Sequence, residues 1–109
     1  MSDGPQDEIS VHELKARIDR GDDLFILDCR EPREFQISRV PESVLIPMGD
    51  LRDRIDEVNK DGEIVVVCRT GRRSAMVTHF LRQQGFEAKN LLGGVNEWVD
   101  KIDPSQQKY

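Results

Sequence analysis

Ile64-Val65-Val66-Val67-Cys68-Arg69-Thr70-Gly71-Arg72-Arg73-Ser74 is the stretch that decides the fold. Four β-branched apolar residues in a row read as a strand buried on both faces. A short glycine-containing loop follows. A helix is predicted from Ser74 to Gln84, with Met76, Val77, Phe80 and Leu81 on one apolar face and Gly85 ending it. Upstream, Leu24-Phe25-Ile26-Leu27 is a second continuous apolar run of the same kind. Val44-Leu45-Ile46 is a short strand candidate stopped by Pro47, and Asp50 caps a predicted helix carrying Leu51, Ile55 and Val58. Near the start, Ser10 and Glu13 form a capping box for a helix with a Val11, Leu14, Ile18 stripe, closed by Gly21. Downstream, Lys89 to Leu92 reads as a last strand. Gly93-Gly94 breaks the chain, and Val95, Trp98, Val99 and Ile102 mark a final amphipathic helix stopped by Pro104. This alternation predicts an α/β fold with a small, mainly parallel sheet flanked by helices. Residues 1–7 read as a loose polar lead-in and 8–109 as one domain, with no internal repeat.

The composition narrows the function classes. A chain of 109 residues with 37% hydrophobic and 34% charged residues holds one modest core and no second catalytic domain. Sixteen basic against 21 acidic residues leave a net charge of -5, which argues against a general nucleic-acid binder. No apolar run approaches the ~20 residues of a membrane span. The opening residues have neither the cationic nor the apolar region of a signal peptide. Two cysteines without an export signal point to a reducing, cytoplasmic location rather than to a disulfide scaffold.

In parallel α/β sheets, sites form where strands end and loops lead into helices, which directs attention to Cys68. Successive main-chain N–H groups in a tight turn converge on an anion, and a helix N-terminus adds partial positive charge. Both favour thiolate over thiol, so the Cys68 pKa is expected below that of a free cysteine. No acidic residue lies between Glu63 and Glu87, whereas Arg69, Arg72, Arg73 and Arg82 all do, a +4 segment suited to an anionic substrate. A single cysteine after a buried strand is more often a packing residue, and arginines in a loop are usually a solvated surface. Cysteine, glycine, three arginines and a helix-starting serine within seven residues favour a nucleophilic site instead.

At these residues the chain resembles the rhodanese family of persulfide-forming sulfurtransferases. Cys68 to Ser74 is similar to the family's Cys-Arg-x-Gly-x-Arg-Ser loop. Asp28-Cys29-Arg30-Glu31-Pro32-Arg33-Glu34-Phe35 resembles its Asp-x-Arg-x-x-x-Glu-Phe segment, and Gly93-Gly94-Val95-Asn96-Glu97-Trp98 its Gly-Gly-x-x-x-Trp ending. The resemblance covers about residues 8–109. It departs at Ser38-Arg39-Val40-Pro41-Glu42-Ser43, where the family often reads Gly-His-Ile-Pro-Gly-Ala. The tail from Trp98 to Tyr109 looks like the end of the rhodanese domain fused behind adenylylating enzymes of molybdopterin and thiamine sulfur chemistry.

The resemblance implies a Cys68 nucleophile that takes sulfane sulfur from thiosulfate or a protein persulfide and passes it to a nucleophilic acceptor. Arg69, Thr70, Gly71, Arg72, Arg73 and Ser74 are then the persulfide-binding set. Arg69 and Arg73 are assigned to the donor, Arg72 points outward, and Ser74 caps the next helix with its hydroxyl in reach of the sulfur. Asp28 and Arg30 are the supporting pair that braces the loop. A cysteine desulfurase as donor and a ubiquitin-like sulfur-carrier protein as acceptor are the implied partners; no cofactor, metal, nucleic acid or membrane is expected. Related phosphatases and arsenate reductases carry a loop one residue longer. The four residues between Cys68 and Arg73 suit one sulfur atom better than a phosphate, and no aspartate in or just beyond the loop offers a general acid.

Three rivals stay open on the sequence: a non-catalytic interaction module, a phosphatase, and a thiol redox protein using Cys29 with Cys68. Cys29 ends the other apolar run, so neighbouring strands would bring the two cysteines together, although a small packing residue is the preferred reading. His12 and His79 lack metal-ligand spacing and read as surface or packing residues. Trp98 reads as core, and Gly93-Gly94 as a turn without a dinucleotide fingerprint.

Overall fold

A computed structural model describes residues 7–109. Residues 1–6 of the lead-in lie outside the described residues, while Asp7 is placed and pairs with Arg82 at 2.9 Å. The run that begins at Glu63 forms strand β4 (Glu63–Val67) in the middle of a five-stranded sheet. Its neighbours are β2 (Leu24–Asp28) and β5 (Glu87–Leu91), with the two-residue strands β1 (Glu8–Ile9) and β3 (Val44–Leu45) at the edges. The order is β1-β5-β4-β2-β3 and every pairing is parallel.

Because the side chains of a strand alternate, the sheet supplies two cores. Leu27, Ile64, Val66 and Ala88 face helix α3 (Arg72–Gln83) and pack with Val77 and Leu81. Ile26, Val65, Val67 and Leu91 face helices α1 (Val11–Asp19) and α4 (Gly94–Lys101) and pack with Leu14, Val95, Trp98 and Val99. The Ser10–Glu13 capping box is present at α1, and Gly21 turns the chain at a φ of 78° just past the helix. A short fourth helix, α2 (Pro32–Ile37), follows β2 and starts on the proline at N1. In chain order it precedes α3, and its Glu34 side chain pairs with Arg73 of that helix.

Three local expectations need correction. The predicted helix after Asp50 is not an α-helix. The chain makes a 3₁₀ turn at Met48–Asp50 and another at Ile55–Glu57, with Arg54 between them at φ -117° and ψ 21°. Leu51 and Val58 are buried all the same, so two separate turns place the apolar residues that one helix was expected to carry. Helix α3 starts at Arg72, two residues before Ser74, and its N-cap is Gly71 in the left-handed region at φ 105°. Ser74 therefore lies inside the first turn and is not the cap. Met76, expected on the apolar face of α3, is 59% exposed.

The register of β2 and β4 positions the chemistry. Asp28 pairs with Val67, so the two strands end level and Cys29 and Cys68 come next, side by side. The Cys29 N–H still donates to the Val67 carbonyl at 3.0 Å, extending the ladder by one bond.

Candidate active site

Cys68 leaves the buried strand and enters a loop that folds back around its own sulfur. The Gly71 N–H donates to Cys68 Sγ at 3.1 Å, and Ser74 Oγ lies 3.2 Å from the same atom. Burial pushes the thiol up, but the Ser74 hydroxyl and the main-chain N–H groups of Ser74, Gly71 and Thr70 outweigh it. The Cys68 pKa thus falls below its ordinary value of 9.0. The first N–H groups of a helix have no partner within the helix. Here the sulfur takes the place that a capping side chain would fill, because Gly71 has none to offer.

Ser74 has one hydroxyl proton and two acceptors, since Asn90 Oδ1 lies 2.5 Å away on the other side. The single proton can be donated to only one of the two at a time. Asn90 also donates to the Gly71 carbonyl at 3.2 Å, which fixes the turn of the loop.

The start of α4 orients the loop from behind. The Val95 N–H donates to the Cys68 carbonyl at 2.9 Å and the Asn96 N–H to the Arg69 carbonyl at 3.1 Å. A trans peptide points its C=O and the following N–H in opposite directions. Pinning these two carbonyls toward α4 therefore turns the N–H groups of Arg69 and Thr70 the other way. The approach is so close that a Cβ on Gly94 would lie 2.4 Å from the Cys68 carbonyl, and Gly94 has a φ of 62°. Gly93-Gly94 is thus more than a turn: it lets one helix terminus reach the Cys68 loop.

An open cavity of about 370 Å³ faces the loop, lined by Cys68, Arg69, Thr70, Arg72, Arg73 and Met76. All six loop residues expected to follow Cys68 are brought together, but in different ways. Gly71 and Ser74 bond the sulfur. Thr70 and Arg72 are exposed. Arg73 forms a two-bond ion pair with Glu34 at 2.9 and 2.8 Å, and Arg69 reaches the main-chain oxygen of Tyr109. The Arg73 contact holds the Glu34 carboxyl at about 2, far below its ordinary 4.5. A second hollow of about 440 Å³, lined by Glu8, Thr78, His79 and Arg82 among others, has no cysteine in its lining. His12 is exposed, near Gly93.

Asp28 and Arg30 are wholly buried and form a bidentate pair, with Arg30 Nε and Nη2 at 2.9 and 2.8 Å from the two carboxylate oxygens. Arg30 also donates to the carbonyls of Ser38 and Glu34 and to the Tyr109 hydroxyl. The expectation that this pair braces the Cys68 loop is corrected in its route. It braces the segment around α2 and, among the described residues, its side chains connect to the loop by way of Glu34 and Tyr109. Glu34, Asn90, Gly94 and Tyr109 are site components to which the sequence reading gave no role. Only the Glu34 and Gly94 motifs signalled them.

The rhodanese-like domain family matches residues 10–101, most of the chain. The chain belongs to this family. A candidate sulfurtransferase of Bacillus subtilis, YtwF, is 37% identical over 97 residues, covering 89% of this chain and 94% of its own length. The adenylyltransferase and sulfurtransferase MOCS3-2 of Zea mays is 31% identical over 109 residues, which span 93% of this chain but 23% of that longer protein. The crystal structure of a rhodanese-like domain protein from Staphylococcus aureus superposes with a TM-score of 0.81 at 30% identity, covering 94% of this chain and 97% of the other. The rhodanese-like fold is thus shared with a solved structure over 94% of this chain, and the two relatives named above are a candidate sulfurtransferase and an adenylyltransferase and sulfurtransferase.

The departure from the family's Gly-His-Ile-Pro-Gly-Ala segment has a visible consequence. Glu42 stands where the family has its second glycine and adopts a φ of 65°, the left-handed region that glycine enters freely. Val40 is nevertheless fully buried, and the Ser38 carbonyl accepts from Arg30 at 2.7 Å, so the segment stays anchored just ahead of the change.

Among the described residues, no helix is long and apolar enough to cross a membrane.

Proposed function

We propose that this chain transfers sulfane sulfur through a persulfide on Cys68, with residues 8–109 acting as one rhodanese-like domain. The observation that carries the reading is the ring of donors on Cys68 Sγ: the Gly71 N–H at 3.1 Å and the Ser74 hydroxyl at 3.2 Å, in a loop that begins a helix. In the first step the Cys68 thiolate attacks the outer sulfur of thiosulfate. A Cys68 S–S bond forms, the S–S bond of thiosulfate breaks, and sulfite leaves with the bonding pair. In the second step the acceptor, cyanide in an assay or a thiolate in a cell, attacks the outer persulfide sulfur. The Cys68 S–S bond breaks and the thiolate returns, so no outside oxidant or reductant is consumed.

Between the steps the outer sulfur is an anion. The N–H groups from Arg69 to Ser74 form its cradle, and the exposed Thr70 and Arg72 leave the mouth open to a donor. Arg69, Arg72 and Arg73 line that mouth and attract a doubly charged donor. Thiosulfate is the donor to test first. The likeness to a longer adenylyltransferase and sulfurtransferase supports a protein partner on at least one step, a cysteine desulfurase as donor or a ubiquitin-like sulfur carrier as acceptor. Thiocyanate formation from thiosulfate and cyanide tests the reading. Turnover by the wild type and none by Cys68→Ser supports it; equal turnover by the two proteins refutes it.

The redox rival using Cys29 finds no support. Burial, with Cys68 and Asp28 nearby, pushes the Cys29 thiol up to about 12, and the group donates to the Val67 carbonyl at 3.5 Å. A thiol that stays protonated at neutral pH is a poor attacker of a disulfide or persulfide.

A further inference from the structure

Beyond α4 the chain runs on past the last residue matched by the family and returns to the active site. It is fastened twice on the way. The Gln106 side chain accepts from the Arg39 N–H and donates to the Arg39 carbonyl, both at 2.9 Å, as a strand partner would. Asn96, in the first turn of α4, donates to the main-chain oxygen of Tyr109 at 3.3 Å.

Tyr109 then sits at the junction of three charged groups. Its hydroxyl accepts from Arg30 Nη1 at 2.6 Å and donates to Glu34 Oε2 at 2.9 Å. Its ring centroid is 4.9 Å from the Arg69 guanidinium, within cation–π range. Glu34 in turn grips Arg73 with both oxygens. Arg69 and Arg73 both line the cavity above Cys68. One side chain therefore links the buried Asp28–Arg30 pair to both of these cavity arginines.

Resting on the sulfur-transfer reading of the cavity, we infer that Tyr109 is a positioning residue for anionic sulfur donors: it holds Arg69 directly, and Arg73 through Glu34, at the mouth above Cys68. A free arginine side chain samples many rotamers and loses them when it grips a ligand. An arginine already stacked on a ring and one already clamped by a carboxylate have lost that freedom in advance. The effect falls on donor binding and not on the chemical step, because Tyr109 touches neither the sulfur nor the N–H groups of the loop.

Tyr109→Ala and Tyr109→Phe test this with two readouts. In the thiosulfate assay, Tyr109→Ala is expected to raise KM about five- to tenfold with kcat within about twofold, and Tyr109→Phe, which keeps the ring on Arg69, to raise it about twofold. Alkylation of Cys68 is the second readout and needs no turnover. Anionic iodoacetate is compared with neutral iodoacetamide. The iodoacetate-to-iodoacetamide rate ratio is expected to fall about threefold or more in Tyr109→Ala, with iodoacetamide nearly unchanged. An unchanged ratio overturns the inference, as does an equal rise with both reagents, which would make the tail a cover and not a guide. A fallen ratio in a protein that does not turn over thiosulfate supports Tyr109 as a guide for anions and counts against thiosulfate as the donor. A lowered melting temperature with an unchanged ratio marks a merely structural tail.

Discussion

Cys29 and Cys68 occupy matching places. Each follows the last residue of a buried parallel strand, the strands are neighbours in register, and each cysteine is 1% exposed. Yet their thiols are driven in opposite directions, Cys29 up to about 12 and Cys68 below the ordinary 9.0. The difference lies in what comes next. After Cys29 the chain turns the very next side chain, the cation Arg30, back onto Asp28, and that charge is neutralised inside the fold. After Cys68 the chain makes a glycine turn into α3, and the donors at the helix start converge on the sulfur. Position at the end of a strand does not lower a thiol's pKa; donors aimed at the sulfur do.

Substitutions on the two sides sharpen or break this contrast. Cys68→Ser is expected to lower sulfur transfer on the order of a thousandfold or more, since a hydroxyl cannot carry the persulfide; thiocyanate formation measures it. Asp28→Asn leaves the Arg30 charge buried without its partner and is expected to remove about 3–5 kcal/mol of stability, a large share for a domain of this size. Urea unfolding reads that loss, and an unchanged midpoint would show that the other Arg30 contacts suffice.

Ser74→Ala removes one donor from the sulfur. Because Cys68 becomes reactive as pH rises through its pKa, losing a donor to the thiolate moves the midpoint of alkylation to higher pH and slows the reaction about tenfold at pH values below that midpoint. A midpoint that stays put would assign the shift to the main-chain N–H groups alone. Cys29→Ser is expected to leave transfer within about twofold of wild type and to cost about 1–2 kcal/mol of stability for a hydroxyl in an apolar core. Loss of transfer in that variant would restore the redox reading.

The smallest effect is expected at Glu34→Gln. The Glu34 carboxyl lies lower in the folded protein, at about 2, than its ordinary 4.5. Its ion pair therefore stabilises the fold fully above pH 4.5 and loses that effect as pH falls toward 2. With Arg73 about a third exposed, the contribution is on the order of 1 kcal/mol. Acid titration of the melting temperature should show a shallower slope for the variant between those pH values.

Much of the fold was legible because its signals are local. Two runs of apolar residues stand in the middle of the sheet, and the Ser10–Glu13 box opens α1 as its spacing implies. The Asp50 segment misled because spacing at i, i+4 and i+7 is satisfied equally by two consecutive turns that bury Leu51 and Val58 separately. Ser74 misled because capping rules look for a side-chain oxygen, whereas here a sulfur from the preceding strand meets the first N–H groups of α3. Within the site, the residues contiguous with Cys68 could be read from the chain. Asn90 and Tyr109 could not, because what joins them to the loop is the crossing of β5 and the return of the tail, across sequence separations of 16 to 40 residues.

Intact mass after incubation with thiosulfate tests the central claim most directly, with wild type, Cys68→Ser and Cys29→Ser side by side. The account predicts a gain of one sulfur atom on wild type and on Cys29→Ser, none on Cys68→Ser, and its removal by cyanide. A sulfur that still adds to Cys68→Ser, or one absent from all three proteins with both thiosulfate and a persulfidated cysteine desulfurase as donors, would contradict it.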